Sequence, residues 1–170
     1  MIAGLILTNT EKEESNLAFI SDDTETYSIK NTEKLVEKLK EEKPDVLAVN
    51  VSSQQSREEF TNVEEDLKEE GYNFTPSSSE PKKVKRLQAI KAVLERDMAN
   101  SPDFIRFDPY ITSEELALDS DKALSSIGVN PDNIGSSKEF DAVLGAVTAR
   151  FYQQNQYKDL GVIVPQSLDE

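Results

Sequence analysis

The chain contains no histidine, no cysteine and no tryptophan. Without cysteine there is no disulfide, no thiolate nucleophile and no Cys-type zinc site. Without histidine the commonest general base and the commonest transition-metal ligand are both missing. Ser-His-Asp and Cys-His catalysis are therefore excluded. What remains is carboxylate chemistry with hard, oxygen-seeking metals, a lysine nucleophile, or binding. Cations are in deficit: 19 Lys and Arg face 33 Asp and Glu, a net charge of −14. Phosphate contacts must be supplied by cations, so sequence-independent attraction to nucleic acid is disfavoured, while a local basic face is not ruled out. No apolar run approaches the length of a transmembrane helix, so no membrane partner is expected. The apolar start, Met1 to Leu7, is too short for a signal peptide and lacks a basic leading region. The Glu- and Lys-rich makeup fits the cytoplasm.

The 170 residues suit a single domain spanning 1–170, long enough to bury a core without disulfides or structural metal. Hydrophobic residues make up 36% and charged residues 31%, against about 45–50% and about 25% in an average globular chain. A thin core under a heavily solvated surface follows.

Ile2–Thr8 is a continuous apolar run and reads as a buried strand. Asn16–Ile20 and Glu25–Ile29 flank a Ser21-Asp22-Asp23 turn, a hairpin-like pair. Asn31–Glu42 is amphipathic, with Leu35, Val36 and Leu39 on one side and Asn31 or Thr32 as cap. Val46–Val51 is a second apolar run, expected to be parallel and central. Ser56–Glu70 carries a helical stripe and stops at Gly71, and Tyr72–Pro81 reads as a loop. Lys82–Ala99 is a helix with Val84, Leu87, Ile90 and Leu94 in its stripe. Phe104–Phe107 is a strand ended by Pro109, followed by short helices at Thr112–Leu118 and Ser120–Ile127. Ser137–Gln153 is a helix striped by Phe140, Val143, Leu144, Val147 and Phe151, and Gly161–Val164 closes as a strand.

The expected fold is α/β: a ribonuclease-H-like mixed sheet, a three-strand meander followed by parallel strands, flanked by helices. A doubly wound nucleotide-binding fold would instead alternate strand and helix from the outset. It would also place a glycine-rich loop after the first strand, whereas Leu7-Thr8-Asn9-Thr10-Glu11 has no glycine.

Several short motifs extend this. Gly4 stands in strand one, and Ala48-Val49-Asn50 ends the central strand. Arg57, Asp66-Leu67 and Gly71 follow it; Phe107-Asp108-Pro109 ends a later strand. Phe140-Asp141-Ala142, Ala146 and Thr148-Ala149-Arg150 mark the last long helix, and Gly161 to Pro165 the closing strand. Together these resemble a family of predicted nucleases of ribonuclease-H-like fold, widespread in prokaryotes and of unknown function. The resemblance implies phosphodiester cleavage by two metals held by three or four carboxylates.

Where that family carries acids, this chain departs. Ile6 falls at the strand-one Asp, Asn50 at the central-strand Asp and Arg106 at the later Glu, while Leu144 replaces a second Asp one turn after Asp141. Asp141 alone is retained, with Asp108 as a displaced substitute for a catalytic acid. A degenerate site is expected, with Arg106, Asn50 and Asp141 in one hydrogen-bonded cluster, lined further by Arg57 and Ser52. No metal or other cofactor is then expected. The resulting reading is a non-catalytic binding or interaction module, with a protein partner or a homodimer left open. The alternative is a metal-dependent nuclease using Asp141, Asp108 and Mg²⁺ or Mn²⁺. A third is a small-molecule pocket lined by Asn50, Ser52 and Arg57.

Lys82, Lys83, Lys85 and Arg86 are the one basic cluster, read as a solvated helix start rather than an anion contact. Ala142, Gly145, Ala146 and Ala149 give the last helix a small-residue face. That face suits close approach to the sheet, or else a dimer contact.

Overall fold

The apolar runs and amphipathic stripes pair off as layers in a computed structural model that describes residues 1–51, 65–71 and 81–166. Strands β1 (Ile2–Ile6), β2 (Ser15–Ile20) and β3 (Thr24–Ile29) form an antiparallel meander. Helix α1 (Thr32–Glu42) then crosses to β4 (Val46–Val49), which runs parallel to β1. Helix α2 (Pro81–Asp97) leads to β5 (Asp103–Arg106), parallel to β4. The sheet order is β3-β2-β1-β4-β5. Helices α3 (Pro109–Leu116), α4 (Asp121–Ser126) and α5 (Ser137–Gln153) follow.

Strand alternation gives the sheet two buried faces. Ala3, Leu5, Phe19, Leu47 and Val49 meet the stripes of α1 and α2, including Leu35, Leu39, Leu87 and Ile90. Ile2, Ala18, Ile20, Ala48, Ile105 and Phe107 meet α5 through Ala142, Val143, Ala146 and Val147. Each fully buried aliphatic side chain contributes about 1.5–3 kcal/mol, which is how a thin core suffices. Because helices cover both faces, β1 and β4 read as unbroken apolar runs.

Helix α5 lies almost on the backbone of β1. A Cβ at Gly4 would stand 2.0 Å from the Ala142 carbonyl oxygen and 2.4 Å from the Ala146 nitrogen. One at Gly145 would stand 2.6 Å from the Phe107 ring and 2.9 Å from the Gly4 Cα. The small residues of α5 are buried against the sheet, so close approach is their role and no dimer face is left there. Ser136 fixes the start of α5 by accepting from the Glu139 amide at 3.2 Å, and Glu139 reaches back to the Gly135 amide at 2.8 Å.

Three expectations need correction. Helix α3 begins at Pro109, not Thr112, because Asp108 caps it and proline suits a first helical turn. The closing strand starts at Ile163 rather than Gly161 and runs through Pro165, in a separate two-stranded sheet. It is β7 (Ile163–Pro165), paired antiparallel with a short unforeseen strand, β6 (Tyr157–Asp159). Arg86 is not part of a solvated helix start: it is 9% exposed. Its Nη1 donates to the Thr8 carbonyl at 3.0 Å and Thr8 Oγ1 at 2.9 Å, its Nη2 to the Lys30 carbonyl at 2.9 Å, and its Nε to Thr32 Oγ1 at 3.0 Å. One guanidinium thus ties the end of β1 to the β3–α1 junction. Gly71, with φ of 83°, follows the helical residues 65–69, the C-terminal stop expected there. Among the described residues no helix is long and apolar enough to cross a membrane.

Candidate functional site

The ends of β1, β4 and β5 meet the first turns of α3 and α5 at one edge of the sheet, the carboxyl end of the parallel strands. Ile6 packs into the α5-side core, an apolar residue where the resemblance places an acid. Asn50 follows β4 and turns its amide onto the neighbouring strand. Its Oδ1 accepts from the Leu7 amide at 2.9 Å, and its Nδ2 donates to the Leu7 carbonyl at 3.3 Å. This side chain prolongs the β1–β4 ladder past the end of β4. Arg106 pairs in register with Val49, which packs on the α1–α2 face. Alternation therefore puts Arg106, buried and engaged, on the opposite face from Asp141. Arg106, Asn50 and Asp141 therefore do not form the expected cluster. Phe104 packs on the same face as Arg106, and Ile105 and Phe107 on the other. Ser52 and Arg57 lie outside the described residues.

The two acids do come together. Asp108 is 6% exposed and caps α3, accepting from the Tyr110 amide at 2.9 Å. Asp141 is half-buried in the first turns of α5. Burial, and then the charge of Asp108, hold its carboxyl above the ordinary carboxylate range. Behind them Thr112 and Thr148 share a buried hydroxyl contact of 2.7 Å, joining α3 to α5.

Phe140 and Asp141 form a ridge between two open recesses of about 450 and about 470 Å³. The first runs past Tyr110, Glu114 and Leu118; the second runs toward Ser136 and Ser137. Both are also lined by Asp119, so the two recesses adjoin, and together they are called the groove. Tyr110, Glu114 and Asp119 were not foreseen. The Asp108-Pro109 pair, read as a helix cap, was the signal that could have placed Tyr110 and Glu114 beside Asp141.

This donor set does not fit the two-metal site that the resemblance implies. Mg²⁺ demands near-octahedral oxygen ligands and is usually held by carboxylates. Here Ile6 offers no oxygen, the Asn50 amide is bound to Leu7, and Asp108 is committed to a helix cap. Among the described residues no three acidic, His or Cys side chains gather within reach of one ion.

No family model matches the chain, and no curated protein matches it. Among solved structures it is similar to T. thermophilus RuvC in complex with Holliday junction substrate, at 16% identity and a TM-score of 0.57. The match covers 96% of this chain and 97% of that one. The fold is the ribonuclease-H-like one, a mixed five-stranded sheet with flanking helices.

Proposed function

We propose that residues 1–170 are a single, non-catalytic ribonuclease-H-like domain, a prokaryotic binding or interaction module of the cytoplasm whose nuclease site has degenerated. The observation that carries this reading is the pair Ile6 and Asn50. One is packed into the core and the other has its amide fixed to the Leu7 main chain. Two of the positions from which metal-binding acids would converge thus have structural duties instead. Among the described residues, the remaining acids, Asp108 and Asp141, have no third carboxylate within reach of a shared ion. In its place stands an open groove lined by carboxylates and aromatic rings, suited to recognition.

RuvC was solved with a Holliday junction, so the proper test uses branched as well as plasmid DNA. Both are incubated with the protein and Mn²⁺, beside Asp141→Ala. Wild type and variant should be equally inert. Cleavage by wild type that disappears in the variant would overturn the proposal in favour of an active nuclease.

A further inference from the structure

We propose that the groove over the Phe140–Asp141 ridge docks an extended segment of a partner protein carrying arginine or lysine beside apolar side chains. This rests on the reading of the domain as a binding module and names the partner chemistry of that same site.

The shape comes first. The two recesses are open and adjoin at Asp119, Phe140 and Asp141, so the groove is exposed surface rather than an enclosed pocket. Small-molecule sites bury most of their ligand in a concave pocket; an open trough suits a chain crossing it. The charge selects which chain. Glu114, Asp119, Asp121 and Asp141 line the groove, and among the described residues no lysine or arginine does. A nucleic acid strand would bring phosphates to these carboxylates with no cation to receive them. A basic polypeptide is the complementary occupant.

The apolar surface adds a second requirement. Tyr110 is 63% exposed at the rim, beside the partly buried Phe140, over the buried Leu118 and Leu144. An exposed ring next to carboxylates offers a guanidinium or ammonium group a cation–π face and an ion pair together. Asp141 gains most, since its carboxylate is half-buried and lies near a second acid, so an arriving cation offsets both penalties. The positive end of α5 disfavours a cation near Ser136 and Ser137. The basic side chain therefore belongs on the Tyr110 side, and peptide carbonyls face the first-turn amides of α5.

The test is fluorescence anisotropy at low salt with a labelled ten-residue peptide of alternating arginine and leucine, beside a glutamine–leucine control. The arginine peptide should bind, weaken as salt rises, and exceed the control by at least tenfold. Asp119→Asn with Asp141→Asn should weaken it about tenfold or more, and Tyr110→Ala severalfold. Glu33→Gln with Glu37→Gln, equal in charge but on exposed α1, should leave it unchanged. Amide shifts of the wild-type protein on titration should fall on residues 108–120 and 134–144, a readout independent of whether any variant folds. Equal loss from the α1 pair, shifts spread over the acidic surface, or equal binding of the control would overturn the proposal. The same preparations are assayed for Mn²⁺-dependent DNA cleavage. Cleavage sinks the binding-module reading itself, whereas no peptide binding and no cleavage sinks only this inference.

Discussion

Substituting Gly4 with alanine tests the packing on which the whole site stands. The added methyl would lie 2.0 Å from the Ala142 carbonyl oxygen, 2.4 Å from the Ala146 nitrogen and 2.7 Å from the Gly145 carbonyl carbon. Optimal non-bonded contacts lie near about 3.5–4.0 Å, so α5 must move off β1 by more than about 1 Å. Every obstructing atom is main chain and cannot rotate aside. Overpacking costs about 1–3 kcal/mol where side chains can adjust; here about 3 kcal/mol or more is expected. For a domain of this size that corresponds to a fall in Tm of about 6–12 °C. Gly145→Ala provides the internal comparison. Its methyl meets the Phe107 ring at 2.6 Å, and alanine gains about 1 kcal/mol of helix propensity over glycine. It should therefore be the milder of the two. The assay is urea and thermal unfolding followed by circular dichroism. Gly4→Ala within about 0.5 kcal/mol of wild type, the range of an unremarkable surface change, would refute the claimed backbone contact.

Arg86→Met should destabilise by about 3 kcal/mol, because the Thr8 and Lys30 carbonyls and two hydroxyls lose their donor in a buried place. Arg86→Lys should recover less than half of that loss, since one ammonium cannot reach both strand ends; both are read from urea midpoints. Asp108→Ala should cost about 1 kcal/mol through loss of the α3 cap and lower the Asp141 pKa, measured by carboxyl NMR titration. Asp141, raised in the folded state, binds its proton more tightly folded than unfolded. Its ionisation therefore removes stability as pH rises from the unfolded value, about 3.9, through the higher folded one. Asp141→Asn should be more stable than wild type at neutral pH, and the difference should vanish below about pH 3. A difference independent of pH would contradict it.

Those elements whose pattern is local were legible in the sequence. The runs at Ile2 and Val46 and the stripes of α1, α2 and α5 follow from burial with period two or 3.6. The small-residue face of α5 suits close approach to the sheet, and in the structure that face lies against β1 at Gly4, a partner that local pattern does not name. Arg86 was not legible, because its burial depends on Thr8, Lys30 and Thr32, brought to it from far along the chain. Strand β6 was hidden in a polar stretch of three residues whose pairing is its main support. Arg106 was open to a better reading: Phe104 and Ile105 already distinguish the two faces of β5, and Arg106 shares parity with Phe104. In the site, Asp108 and Asp141 stand out by motif position alone, whereas the exposed Tyr110 and the acids at 114 and 119 acquire meaning only from the packing of α3 against α5.

The central claim is that this edge of the sheet recognises a partner and does not assemble a metal centre. Isothermal titration of the protein with Mn²⁺ tests it most directly, with Asp141→Asn as reference. The account predicts no stoichiometric binding at millimolar ion, with wild type and variant alike. A saturable heat of one or two ions per chain, lost in Asp141→Asn, would contradict it.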